Sequence, residues 1–260
     1  MRKFTLECTA LNGMNKAGKL KPDDTGYYQV VLGGFDIPNP NGDVYPYKAA
    51  AHLFEKSSIL MRNITSGNAY GEWGHPKRQP GQTLSNYIKR CGIVDEANIA
   101  FHIKKIEINH SDVKDDNGNT IVTILGWVKG VGKHADAFND MLSNPEQNVC
   151  FSIRAAIEDV PNTQGKLNRN LVSIVTWDFV VYPGLKVAMK YKSPALESFD
   201  KEEITEFDLL DARSEIISTG TALENGNSLD MVNEILAHKS PSRRVYDQGY
   251  LKRRGNSGKW

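Results

Sequence analysis

Four runs of β-branched and aromatic residues, closely spaced between positions 99 and 182, limit the fold more than any other feature of this chain. They are IAFHIKKIEI (99–108), TIVTILGWV (120–128), NVCFSIRAAIEDV (148–160) and LVSIVTWDFVVY (171–182). KDDNGN between the first two is hairpin turn chemistry, and the polar PNTQGKLNRN joins the last two. An earlier run, YYQVVLGGF (27–35), ends in a glycine pair, and LSNYIKRCGIV (84–94) reads as one more strand. Two helical patterns interrupt the series, YKAAAHLFEKSSILMR (47–62) and HADAFNDMLSN (134–144). Short strands joined by tight turns predict an α+β, strand-dominated fold, with an antiparallel β-barrel-like core flanked by helices.

The 260 residues suffice for one such domain and an appendage. Charge marks the expected division. Residues 197 to 230 carry ten acids against Lys201 and Arg213, and residues 239 to 260 carry seven Lys or Arg against Asp247. Opposite blocks of this kind predict a domain over 1–195 and an acidic-then-basic tail over 196–260, holding an amphipathic helix at 228–239 capped by Asn227 or Ser228. The net charge of +1 gives no reason to expect direct nucleic-acid binding. No apolar run approaches the ~20 residues that cross a bilayer, and MRKFTLECTALNG lacks the apolar stretch of a secretory signal. Cys8, Cys91 and Cys150 are widely spaced, as in reduced cytosolic thiols.

The motif search removes several chemistries. No HExxH or CxxC supports a metal site, and neither GxxxxGK[ST] nor GxGxxG is present to cradle a nucleotide. GxSxG is absent as well. What remains is a scattered Ser–His–acid set, a constellation defined by geometry and not by chain order. His75 sits in GEWGHPKRQPG, between Gly74 and Pro76 and three residues after Glu72. Ser152 lies in CFSIRA, where strand alternation sends Phe151 and Ile153 to one face and Ser152 and Arg154 to the other. Asp178 lies in the apolar TWDFVVYPG, where a buried carboxylate must have a donor beside it. Either Asp178 or Glu72 can serve as the acid that orients His75.

These three segments resemble the prohead (capsid maturation) serine proteases of tailed bacteriophages, the T-even-like relatives of the herpesvirus assemblin proteases. GEWGHP (71–76) is similar to that family's histidine motif, NVCFSIRA (148–155) to its serine motif, and TWDFVVYPG (176–184) to the segment that closes the domain. The resemblance covers roughly residues 25 to 195 and implies a herpesvirus protease-like fold. It implies His75 as general base, Ser152 as nucleophile, Asp178 as the orienting acid and Arg154 as support for the oxyanion, with no metal or cofactor. It further implies a serine endopeptidase that cleaves major capsid and scaffold proteins inside the prohead, in the host cytoplasm, with no membrane partner. The herpesvirus relatives dimerise, which makes a homodimer a candidate assembly. Family members cut after Glu and process themselves, so the repeated Ala-Leu-Glu triplets ending at Glu197 and Glu224 are candidate self-cleavage sites that would release the tail. The competing reading is a non-catalytic virion or scaffold component on the same fold.

Overall fold

The computed structural model describes residues 2–9, 20–38, 42–110, 121–144, 146–163, 165–181, 201–219 and 226–238. Among the described residues, eight strands form two antiparallel four-stranded sheets. The first sheet contains β1 (Lys3–Thr9), β6 (Cys150–Pro161), β7 (Leu167–Val180) and β8 (Lys201–Thr205), in the order β7-β6-β1-β8. The second contains β2 (Tyr28–Phe35), β3 (Tyr70–Glu72), β4 (Ile99–Asn109) and β5 (Val122–Gly130), in the order β2-β5-β4-β3. The helices are α1 (Tyr47–Ala50), α2 (Ile59–Thr65), α3 (Leu84–Gly92), α4 (Ala135–Ser143), α5 (Glu206–Ser218) and α6 (Gly226–Ala237). The hairpin turn KDDNGN lies outside the described residues. Among the described residues no helix is long and apolar enough to cross a membrane.

Two apolar cores explain why β6 and β7 read as nearly continuous hydrophobic runs. One core joins the sheets: Phe151, Ile153, Trp177 and Phe179 pack with Leu32, Phe101, Ile103 and Val128, and with Phe138 of α4. Phe101 and Phe138 stack there at 4.8 Å between ring centroids. The second core covers the opposite face of the first sheet, where Phe4, Ala156, Val172 and Ile204 meet side chains of α3, α5 and α6. A strand buried on both faces loses the polar alternation of a half-exposed one.

Three expectations are corrected. The sheets do not close into a barrel among the described residues. Among the described residues, backbone bridging between the β7 strand and the other sheet is confined to the isolated parallel bridge Trp73–Phe179 just after β3, with a second isolated bridge, Val44–Asn168, tying the 42–46 segment to β7. Residues 84–92 are a helix, not a strand: Thr83 caps it by accepting from the Asn86 N–H at 3.2 Å, and Tyr87, Ile88 and Cys91 are its buried side chains. Those positions, with half-buried Leu84, follow helical spacing, which outweighs the strand propensity of single residues. Finally, residues 201–219 and 226–238 are not an appended tail. β8 extends the sheet beside β1, and Leu209, Ala212, Ile216, Met231, Val232 and Ile235 complete the second core. The acids of this region occupy the outer positions of amphipathic elements, so a solvated helix face looked like a charge block. Ser228 does not cap α6. It is buried and donates to the Lys89 carbonyl at 2.9 Å, where α6 crosses α3.

Candidate active site

The site forms where the edge of one sheet touches the edge of the other. β3 lies against β7 because residue 71 has no side chain. A Cβ there would sit 2.2 Å from the Trp177 carbonyl oxygen and 2.2 Å from the Phe101 ring. Hydrogen bonds then cross the seam: the Thr176 hydroxyl donates to the Tyr70 carbonyl at 2.6 Å, and the Gly74 N–H to the Phe179 carbonyl at 2.8 Å. Gly74 has φ +84°, a left-handed conformation that suits glycine, and it turns the chain so that the next side chain points back at β7. That side chain is His75. The following loop is tied down by the Tyr87 hydroxyl of α3, which donates to the Pro76 carbonyl at 3.4 Å.

On the first sheet, Ser152 of β6 is the direct cross-strand partner of Asp178 of β7. The alternation read from the sequence holds here: Phe151 and Ile153 enter the core between the sheets, and Ser152, Arg154 and Asp178 are buried outside it. Asp178 is fully enclosed and accepts four hydrogen bonds. Its Oδ2 takes His75 Nδ1 at 2.8 Å and Arg154 Nε at 2.9 Å, and its Oδ1 takes Arg154 Nη2 at 2.7 Å and the Glu72 N–H at 3.0 Å. Burial alone would raise this carboxyl. The charge of Arg154 and the hydrogen bond and charge of His75 prevail and lower it to about 2. Asp178 is therefore an anion at any pH near neutrality.

The ring of His75 is consequently oriented. With Nδ1 bound to a carboxylate, Nδ1 carries the proton in the neutral ring and Nε2 carries the lone pair. Nε2 is buried and has no hydrogen-bond partner among the described residues. Buried nitrogens in folded proteins are nearly always satisfied, and His75 Nε2, unlike Nδ1, keeps its lone pair open to a further hydrogen-bond donor. An imidazole held in this way can accept a proton from a hydroxyl brought to Nε2 and later return it.

The alternative acid is committed elsewhere. The Glu72 carboxylate accepts from Arg90 Nη1 at 2.9 Å, the Asp95 N–H at 3.0 Å and Asn98 Nδ2 at 3.3 Å, and it is ion-paired to Arg154 Nη2 at 2.9 Å. Burial pushes its pKa up, but the Arg90 hydrogen bonds and the Arg154 charge outweigh this and leave it lowered. It is Asp178 that meets the imidazole, and Glu72 reaches it through a backbone N–H and through Arg154. Arg154 also departs from expectation. Its guanidinium lies on Asp178 and Glu72 and donates to the Ile93 carbonyl at 2.7 Å, which directs it to the acid and not to an oxyanion. Sequence reasoning missed Arg90, because its segment was read as a strand. The helical spacing of Tyr87, Ile88 and Cys91 was the signal for the helix, and tertiary packing places that helix so that Arg90 reaches Glu72. Glu197 and Glu224 lie outside the described residues.

A capsid maturation protease of Pseudomonas phage phiKZ is 33% identical over 196 residues, which cover 74% of this chain and 71% of that protein. The structure of the bacteriophage T4 capsid assembly protease gp21 superposes with a TM-score of 0.43 at 13% identity, covering 69% of this chain and 100% of that one. The Peptidase S80 family model matches residues 6–245, a span that takes in every residue of the site and also β8, α5 and α6. The chain belongs to the Peptidase S80 family, a serine peptidase family of phage capsid maturation proteases.

Proposed function

We propose that this chain is a serine endopeptidase in which Ser152 is the nucleophile, His75 the general base and acid, and Asp178 the group that orients and charge-stabilises the imidazole. The observation that carries the reading is the bond between Asp178 and His75 Nδ1, with Nε2 left buried and without a hydrogen-bond partner among the described residues, together with Ser152 being the cross-strand partner of that same Asp178. A serine hydroxyl is a weak nucleophile near neutral pH and needs a base within hydrogen-bond reach. Nε2 takes the Ser152 proton as Oγ attacks the scissile carbonyl. The imidazolium is steadied by the Asp178 anion and returns the proton to the leaving amine. Water then repeats the sequence on the acyl-enzyme. The developing oxyanion needs fixed donors. Because the Arg154 guanidinium is bound to two carboxylates, backbone N–H groups near Ser152 are the better candidates for that task.

The substrates, on this reading, are the major capsid protein and scaffold proteins, cut inside the prohead during head maturation. The phiKZ relative, a capsid maturation protease, supports this class of substrate. Self-processing after Glu197 and Glu224 belongs to the same proposal, as do a homodimeric assembly and a distant relation to the herpesvirus proteases. Because β8, α5 and α6 pack into the fold, a cut at Glu197 would sever a chain whose halves still hold together.

The test is Ser152→Ala in the full chain, co-expressed with the capsid protein. Rates are expected to fall by at least about 10³-fold, given what loss of a triad member costs in serine proteases. Capsid protein still processed at the wild-type rate would remove Ser152 from the mechanism and favour the non-catalytic reading.

A further inference from the structure

We infer that Glu72 and Arg90 tune the protonation of His75 through Arg154, as the outer links of a charge-balanced chain running from β7 to α3. The inference rests on the assignment of His75 as the base and adds two positioning residues to it. The four ionic groups alternate in sign: Asp178, Arg154, Glu72, Arg90. Adjacent members touch, with Asp178 to Arg154 at 2.7 Å, Arg154 to Glu72 at 2.9 Å and Glu72 to Arg90 at 2.9 Å. The first three side chains are essentially inaccessible, and Arg90 alone reaches solvent, at 25% exposure. Both arginines also donate to the Ile93 carbonyl, at 2.7 and 3.2 Å, which locks the chain to the end of α3.

A buried array of two cations and two anions has no net charge, and it leaves the imidazole to sense the small imbalance set by distance. Charges in such a setting act over several ångströms with little screening. Removing the Glu72 charge leaves a net positive array, which disfavours the imidazolium and lowers the midpoint at which His75 gains a proton. Removing the Arg90 charge leaves a net negative array and raises it. A purely structural role for either residue would not produce shifts of opposite sign. Other ionisable or polar groups face the site from each packed element. Lys77 and Arg78 flank His75 on its own loop, and Arg78 is ion-paired to Glu202 of β8. Tyr87 and Cys91 face it from α3, where burial pushes the Cys91 thiol up to about 11. Asp95 stands 4.0 Å from Arg90, and His134, next to Lys133, stacks on Trp73. These stay constant across the variants, so differences isolate Glu72 and Arg90.

The experiment is a pH titration of the His75 imidazole by ¹⁵N NMR in the full chain carrying Ser152→Ala. Glu72→Gln is expected to lower the midpoint and Arg90→Gln to raise it, each by roughly half to one pH unit. Arg90→Lys, which keeps the charge, should stay near the parent value, and the double variant Glu72→Gln/Arg90→Gln should return towards it. Shifts of the same sign, or no shift in either single variant, would overturn the inference. Should Glu72→Gln fail to fold, the Arg90 pair decides the matter: no rise in Arg90→Gln, or an equal rise in Arg90→Lys, refutes it. The titration is read without turnover, so it stands or falls separately from the cleavage assay on Ser152→Ala.

Discussion

Two arginines on the β6–β7 hairpin are buried to the same degree and are used in opposite ways. Arg154 and Arg169 have side chains only 2% and 1% exposed. Arg169 binds Asp159 at 3.1 Å, a carboxylate that is 31% exposed, donates to the Tyr45 hydroxyl at 3.0 Å and lies over the Tyr45 ring. It fastens the 42–46 segment to the far end of the hairpin, where the Arg169 N–H also donates to the Val44 carbonyl at 2.8 Å. Arg154 instead stands between two carboxylates with no exposure at all, one of which, Asp178, also accepts from His75 Nδ1. A buried cation with a solvated partner is a fastening. One enclosed with two anions, one of them hydrogen-bonded to His75, belongs to the proposed catalytic site.

The contrast can be broken by experiment. Arg154→Met leaves Asp178 and Glu72 as buried anions without their shared cation. Urea midpoints should report a loss of about 3–5 kcal/mol, the usual consequence of removing one partner of a buried ion pair. A loss below 1 kcal/mol would show that water reaches the carboxylates. Second in size is the pH response. The Asp178 carboxyl is lowered in the folded state to about 2 from its ordinary range near 3.8. Its stabilisation is complete above the ordinary value and is lost as the pH falls from about 4 to about 2. The change is about 2 kcal/mol. Denaturation followed over that window should show it in the parent, and Asp178→Asn should lack it. The smallest effect is expected from Arg169→Met, at about 1–2 kcal/mol from the lost hydrogen bonds, with cleavage of the capsid substrate unchanged. Reduced cleavage in that variant would mean that the two ends of the hairpin are coupled.

The legible parts of the site were those in which chemistry contradicts its surroundings. An aspartate within TWDFVVY must be paired, and a histidine between Gly74 and Pro76 is held in one place. Ser152 became a candidate only beside them, since a serine on a strand has no signal of its own. The choice between Asp178 and Glu72 was not legible, because each is a carboxylate a short reach from His75 in some fold. It was decided by Gly71, whose missing Cβ lets β3 approach β7 closely enough for His75 to reach Asp178. The misreading of residues 201–238 has a related cause. Charge is dense there, and the apolar residues that dock α5 and α6 are sparse enough to be hidden by it.

The sequence by itself determined the strand-rich α+β class, the segments bearing His75, Ser152 and Asp178, and which face of β6 each side chain takes, because these follow from alternation and from the cost of burying charge. Only the tertiary structure decided that two sheets meet edge to edge and, among the described residues, do not close into a barrel, that Arg154 binds Asp178 and Glu72, that Arg90 reaches Glu72, and that α5 and α6 pack into the core. These depend on contacts between residues far apart in the chain, and local pattern carries no record of which distant surfaces will meet.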